Sequence, residues 1–309
     1  MEKQATHARP LFNKIVLIGV GLIGGSFALA LKKANAVTHI LGLDRHLTSL
    51  EAAKQLHIID GFSDDMASAV VDADLIMIAT PVAQTAKILS AIYPYLQLNT
   101  IVTDAGSTKA DVVAVARTSL KEKIGQFVPA HPIAGREKNG PEAAIDDLYV
   151  GKKVVITRLV ENSEQAIEKV SQAWSLCGAI IHHLSPQEHD QVFASVSHLP
   201  HLLAYALVDD IAEKPHADRL FQYAASGFRD FTRIAGSSPE MWCDISLANR
   251  DAILEELDSY RLKLTQLRMS LASADSVALE AIYSRAQTAR LNWIAAIEAA
   301  ETQNKDGGD

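Results

Sequence analysis

From residue 13 to about residue 184, short apolar runs rich in β-branched residues alternate with stretches of helical periodicity. That alternation predicts parallel strands joined by crossover helices, hence an α/β fold for this part of the chain. Strands are expected over 14–19, 38–43, 74–80, 100–104, 126–129, 153–157 and 179–183. Four of them run into turns that carry chemistry: Gly19-Val20-Gly21, Thr80-Pro81, Asp104-Ala105-Gly106-Ser107 and His131-Pro132. In an open parallel sheet ligands bind beyond the carboxyl ends of the strands, so these turns are expected to line one crevice. After Ser185-Pro186, a helix-starting pair, the pattern is helical throughout, over 186–212, 217–225, 228–235, 239–269 and 273–302. The last two segments are long and amphipathic and need a partner for their apolar stripes, which predicts a homodimer. The expected division is 1–184, dinucleotide-binding, and 185–309, helical.

Composition narrows the function. Of 309 residues 48% are hydrophobic, enough for a large core. The apolar stretches near 13–31 and 195–208 are interrupted by glycine, lysine or His-Pro, which argues against a membrane span, and the polar N-terminus does not resemble an export signal. Only Cys177 and Cys243 are present, which fits a reducing, cytoplasmic setting and leaves no cysteine metal site. With 29 Lys+Arg against 37 Asp+Glu and no basic run, nucleic acid is not an expected partner.

Residues 15–26 place Gly19-x-Gly21-x-x-Gly24 directly after a strand and before a helix. In that context Gly19 turns the chain, Gly21 lets a pyrophosphate approach, and Gly24 lets the helix pack on the strand. The helix from Leu22 and Ile23 onward offers its N–H groups and positive dipole end to phosphate. Asp44 ends the second strand, 20 positions after Gly24, where a carboxylate accepts from ribose hydroxyls and repels a 2′-phosphate. This favours NAD over NADP, with Arg45 beside it able to stack on adenine or tolerate some NADP. Thr80 and Pro81 are expected beside the middle of the cofactor.

Several motifs recur in one order: Gly-Leu-Ile-Gly-Gly-Ser at 21–26, Asp-Ala-Gly-Ser-Thr-Lys at 104–109, His-Pro-Ile-Ala-Gly at 131–135, Ser-His-Leu-Pro-His at 197–201 and Gly-Phe-Arg-Asp-Phe-Thr-Arg-Ile-Ala at 227–235. Together they closely resemble the prephenate/arogenate dehydrogenase family of tyrosine biosynthesis, from about Lys14 to Ala300. The resemblance implies a Rossmann-like domain followed by an all-α dimerisation domain. It also implies oxidative decarboxylation of prephenate to 4-hydroxyphenylpyruvate, or of arogenate to tyrosine. By motif match His131 is the base and Ser107 hydrogen-bonds its imidazole or the substrate hydroxyl. Arg233, and with it Arg229, would grip a carboxylate, which suits a planar guanidinium fork. His189 and His201 are carried over as pocket residues; His198 is expected to hydrogen-bond within the core. Pro200 lies inside the helix and should bend it, aiming His201 at the crevice. Arg136 stands where many family members have threonine and adds a cation, while Glu137 would accept the ammonium of arogenate. The three histidines on the 186–212 helix are not spaced as metal ligands, so no metal is expected. Two other readings are a different dehydrogenase of the same architecture, such as a β-hydroxyacid enzyme, and a nucleotide sensor without chemistry. The first lacks a catalytic lysine between residues 186 and 234 other than Lys214, and the second leaves His131, Ser107 and Arg233 unexplained.

Overall fold

The computed structural model describes residues 9–136 and 138–306. Six strands form a parallel sheet: β1 (Phe12–Ile18), β2 (Val37–Leu43), β3 (Gly61–Phe62), β4 (Leu75–Ile78), β5 (Ile101–Asp104) and β6 (Phe127–Val128). Their order is β3-β2-β1-β4-β5-β6, so the direction of winding reverses beside β1, where a dinucleotide crevice opens in such folds. Alternate residues of the central strands feed two cores. Ile15, Leu17, Leu75 and Met77 face Phe27, Tyr149 and Trp174 on one side, while Val16, Ile18, Ile76 and Ile78 face Ile88, Leu89, Val112 and Ala116 on the other. Burial on both faces explains why these strands read as unbroken apolar runs.

The expectation of a single parallel sheet is corrected. β7 (Ala130–Pro132), β8 (Lys153–Ile156) and β9 (Ile180–His183) form a separate three-stranded sheet, with β7 antiparallel to β8 and β8 parallel to β9. The chain leaves the first sheet at Pro129, whose ring has no N–H to give a ladder. The Ala130 N–H then donates to Asp104 Oδ1 (3.1 Å), a side-chain acceptor in place of a strand. His131 consequently sits within β7, opposite Val155, and not in a turn beyond a strand. The two-residue β3 was also not foreseen, being too short to show a period.

Helix Pro186–Phe193 starts at a capping box: Ser185 Oγ accepts from the Glu188 N–H and Glu188 from the Ser185 N–H. It continues through a π turn, Ala194–His198, into helix Leu199–Ala212. The wide turn lies just before Pro200, where the missing N–H and ring bulk disfavour regular α-helical bonding. By length and composition alone this 27-residue run, whose most apolar 18-residue stretch has a mean hydropathy of 1.2, could cross a membrane. Its buried His189, Asp190 and His198 are bonded to other elements of the fold, which is the behaviour of a core helix. The segment expected as one helix over 239–269 is two, Pro239–Ala248 and Arg250–Ala272, separated at Asn249, whose side chain is turned to the interior.

The chain divides into two compact units. One reaches from the N-terminus to Ile253 and contains both sheets and every site residue discussed below; the other is 254–309. The second contains the rest of the helix ending at Ala272 and the helix Ser276–Asp306, and it exposes Leu262, Met269, Tyr283, Leu291 and Trp293.

Candidate active site

At the end of β1, Gly19 has φ +95°, and a Cβ there would lie 2.6 Å from the Ala79 carbonyl oxygen. A Cβ on Gly24 would overlap the Gly19 carbonyl and press on Leu17 and Ala79. Only glycine fits either position. Gly21 differs, since the space beside it is open. It caps helix Leu22–Lys33 without a side-chain acceptor, so the first helical N–H groups remain for a ligand. Leu22 is buried and Ile23 packs against the core, so only their backbone N–H groups are left to offer a ligand.

This turn opens into a cleft of about 630 Å³ whose lining includes Gly21, Asp44, Arg45, Thr80, Pro81 and Gly140. Asp44 accepts from the Val20 N–H (3.3 Å) and the His46 N–H (3.0 Å), which ties the β2 carboxylate to the glycine turn. Arg45 Nε donates to His46 Nε2 at the rim. The Thr80 hydroxyl is buried with no hydrogen-bond partner among the described residues, an orphan that a bound polar molecule would satisfy. An uncapped helix start, a carboxylate at the end of β2 and an unpaired hydroxyl in one cleft fit a dinucleotide.

A second cavity, of about 560 Å³, is lined by Gly135, Arg136, Lys138, His201, Arg233 and Trp242, among others. Neighbouring residues of one stretch of chain serve both: Gly135, Arg136 and Lys138 line this cavity, and Asn139, Gly140 and Pro141 line the glycine cleft. His131 precedes that stretch. Among the described lining residues the charges are all cationic, so the cavity is built for an anion. His201 stacks on Trp242, ring centroids 3.6 Å apart, and its Nδ1 is 2.9 Å from the Ser197 carbonyl, to which it donates. Burial holds its pKa below the ordinary value, against that hydrogen bond, and the Arg233 charge lowers it further. Arg233 opens the 3-10 turn Arg233–Gly236. Arg229, on helix Ser226–Thr232, is exposed and lies outside this lining, because the helix ends before the turn that brings Arg233 in. Glu137 lies outside the described residues.

The half-buried His131 has its Nδ1 2.8 Å from His189 Nε2, and His189 Nδ1 is 2.7 Å from Asp190 Oδ1. Asp190 accepts from the Lys109 N–H and the Ala110 N–H, both at 2.8 Å, and so caps helix Ala110–Leu120 from another part of the chain. A buried ion pair adjoins it: Lys109 Nζ donates to Asp104 Oδ2 at 2.5 Å, and the same carboxylate holds the Gly106 and Ala130 N–H groups. These bonds lock the turn carrying Ser107 to the start of β7. Desolvation pushes the His131 pKa well below 6.5, and His189 and Lys109 add to the fall. His189 is lowered by burial too, against its bond to Asp190. Both imidazoles are therefore neutral near pH 7.

His189 is fully buried behind His131, which corrects its expected place in the substrate pocket. His198 is buried and within 3.1 Å of Asn249 Nδ2, which also donates to the Asp190 carbonyl. Asp190, Asn249, Lys109, Lys138 and Trp242 were not singled out from sequence. Asp190 and Lys109 adjoin residues that were, but an isolated carboxylate or lysine beside a motif gives no sign of what it will meet in space.

The chain matches two family models, the prephenate dehydrogenase nucleotide-binding domain over residues 27–183 and the prephenate dehydrogenase dimerization domain over 185–284. It is 36% identical over 283 residues to cyclohexadienyl dehydrogenase of Zymomonas mobilis, covering 91% of this chain and 96% of that protein. It is 38% identical over 269 residues to prephenate dehydrogenase of Bacillus subtilis, covering 85% and 71%. Among solved structures, prephenate dehydrogenase from A. aeolicus in complex with hydroxyphenyl propionate and NAD+ superposes with a TM-score of 0.84 at 34% identity, covering 91% and 98% of the two chains.

Proposed function

Since the chain belongs to the prephenate dehydrogenase family and is an oxidoreductase of that kind, we propose that it converts prephenate to 4-hydroxyphenylpyruvate, CO2 and NADH, with His131 as the base. The observation that carries this reading is that, a few residues after His131, Gly135, Arg136 and Lys138 line the cationic cavity while Asn139, Gly140 and Pro141 line the glycine cleft.

The helix start at Gly21–Gly24, with Asp44, Thr80 and Pro81, would hold NAD, which when bound would supply the hydride acceptor. The rest falls to this chain's own groups. Arg233 and Arg136 hold the substrate carboxylates, which fixes the ring in the cavity. Neutral His131 accepts the ring hydroxyl proton as hydride leaves the same carbon, forming a carbonyl. The ring carboxylate then departs as CO2, its bonding electrons completing the aromatic ring, and the imidazolium returns its proton to the phenolate. Ser107, half-buried on the turn locked by Asp104, is assigned to orient the hydroxyl or the imidazole.

Finer assignments belong to the same reading. The Asp44 carboxylate favours NAD over NADP. A cavity lined by Arg136, Lys138 and Arg233 favours prephenate, a dianion, over arogenate, whose ammonium replaces a keto group. Residues 1–184 bind the coenzyme, and 185–309 complete the pocket and pair with a second copy. A cytoplasmic setting fits the two free cysteines, Cys177 and Cys243. The test is turnover with NAD, followed as NADH appears, comparing kcat/KM for prephenate and arogenate. Prephenate is expected to be the better substrate, and absence of turnover with both would refute the assignment.

A further inference from the structure

A neutral imidazole has one N–H, and a base must present its bare nitrogen to the proton it takes. Which nitrogen of His131 is bare follows from a chain of partners that begins at Asp190. Both oxygens of that carboxylate face backbone N–H donors, Lys109 at Oδ1 and Ala110 at Oδ2, at the start of a helix. A carboxyl that only receives is ionised, and the helix N-terminus favours that state. The third group on it, His189 Nδ1 at 2.7 Å, must therefore donate. Neutral His189 then has no proton on Nε2. His131 Nδ1, 2.8 Å from that nitrogen, must carry one. The remaining nitrogen of His131, Nε2, is bare.

We propose that Asp190 and His189 are positioning residues that set this proton order, so that His131 enters each turnover with Nδ1 protonated and Nε2 free to receive the substrate's hydroxyl proton. Asp190 is itself held in place: it is 4% exposed and its carbonyl accepts from Asn249 Nδ2. When His131 becomes cationic, its Nδ1–H still points at His189, and the Asp190 carboxylate at the far end of the chain faces the new charge. The logic is that of a carboxylate orienting a catalytic imidazole, with one further imidazole between them. His131 also packs edge-on against Phe193, which excludes water from one side of this chain.

This proposal rests on His131 being the base, and two independent measurements separate its failure from failure of that reading. In the intact enzyme labelled with 15N-histidine, nitrogen shifts and couplings are expected to show His131 and His189 both as Nδ1–H tautomers. Finding His131 protonated on Nε2 would overturn the proton order even if H131A were inactive. The second measurement compares H189L, which removes the acceptor for His131, with H189Q, whose amide oxygen can replace it. H189L is expected to lose roughly 10²-fold in kcat with prephenate KM changed less than about threefold, and H189Q to regain about tenfold. Equal losses of kcat in the two variants would contradict the proposal. Should H189L fail to fold, the tautomer measurement on the unaltered enzyme still decides it.

Discussion

At the residue scale the account turns on groups that differ in what they can do for a reaction. His131 is neutral because burial and neighbouring positive charge disfavour its protonated form. Its role predicts that H131A or H131N slows turnover by roughly 10²–10⁴-fold with little change in KM, read by steady-state kinetics with saturating NAD. In the unaltered enzyme, activity should be retained above pH 6.5 and fall only as pH drops through a value below that, since protonation removes the base. The role proposed for Arg233, holding a carboxylate present before and during the reaction, predicts that R233A chiefly raises KM for prephenate. A fall in kcat at unchanged KM would place Arg233 elsewhere in the cycle. For Asp44, the D44S variant should bind NAD more weakly and use NADP better, measured as the ratio of kcat/KM for the two coenzymes. The motifs single out His131, Ser107, Arg233 and the three glycines in the sequence, because each such residue type has a narrow set of uses at its position. Asp190 was not legible: its partners are the backbone N–H groups of residues 109 and 110, and no local pattern announces a contact with so distant a segment.

Among the elements, seven strands and the start of the 186–212 helix could be read from period and capping residues, and their ends fall within a few residues of the expected positions. The departures have local causes. Pro129 and the Asp104 carboxylate divert the chain into a second sheet, and the Asn249 side chain interrupts a helical pattern to reach Asp190 and His198. The buried Lys109–Asp104 pair joins β5, the Ser107 turn and β7. Removing its cation in K109M leaves a buried carboxylate unpaired and should cost about 3–5 kcal/mol, measured by urea unfolding. A cost below about 1 kcal/mol would mean that water or another group reaches Asp104.

For the whole molecule, four histidines of the first unit, His131, His189, His198 and His201, have pKa values lowered by burial, His198 to about 4. In the unfolded chain each titrates near 6.5. Above that pH both states are neutral and the groups make no difference. As pH falls below 6.5 the unfolded chain gains protons that the folded one refuses, so stability declines from about pH 6.5 toward pH 4. Thermal unfolding across that range should show Tm falling with pH, and H198N should flatten part of the slope. The family's dimerization domain covers 185–284, and the apolar side chains exposed on 254–309 give a second copy a surface to cover. The most direct test of the central claim is a crystal structure of the enzyme with NAD and 4-hydroxyphenylpyruvate. The account predicts the phenol oxygen about 3 Å from His131 Nε2 and a carboxylate on Arg233. A phenol oxygen held by other groups, with His131 facing only protein, would contradict it.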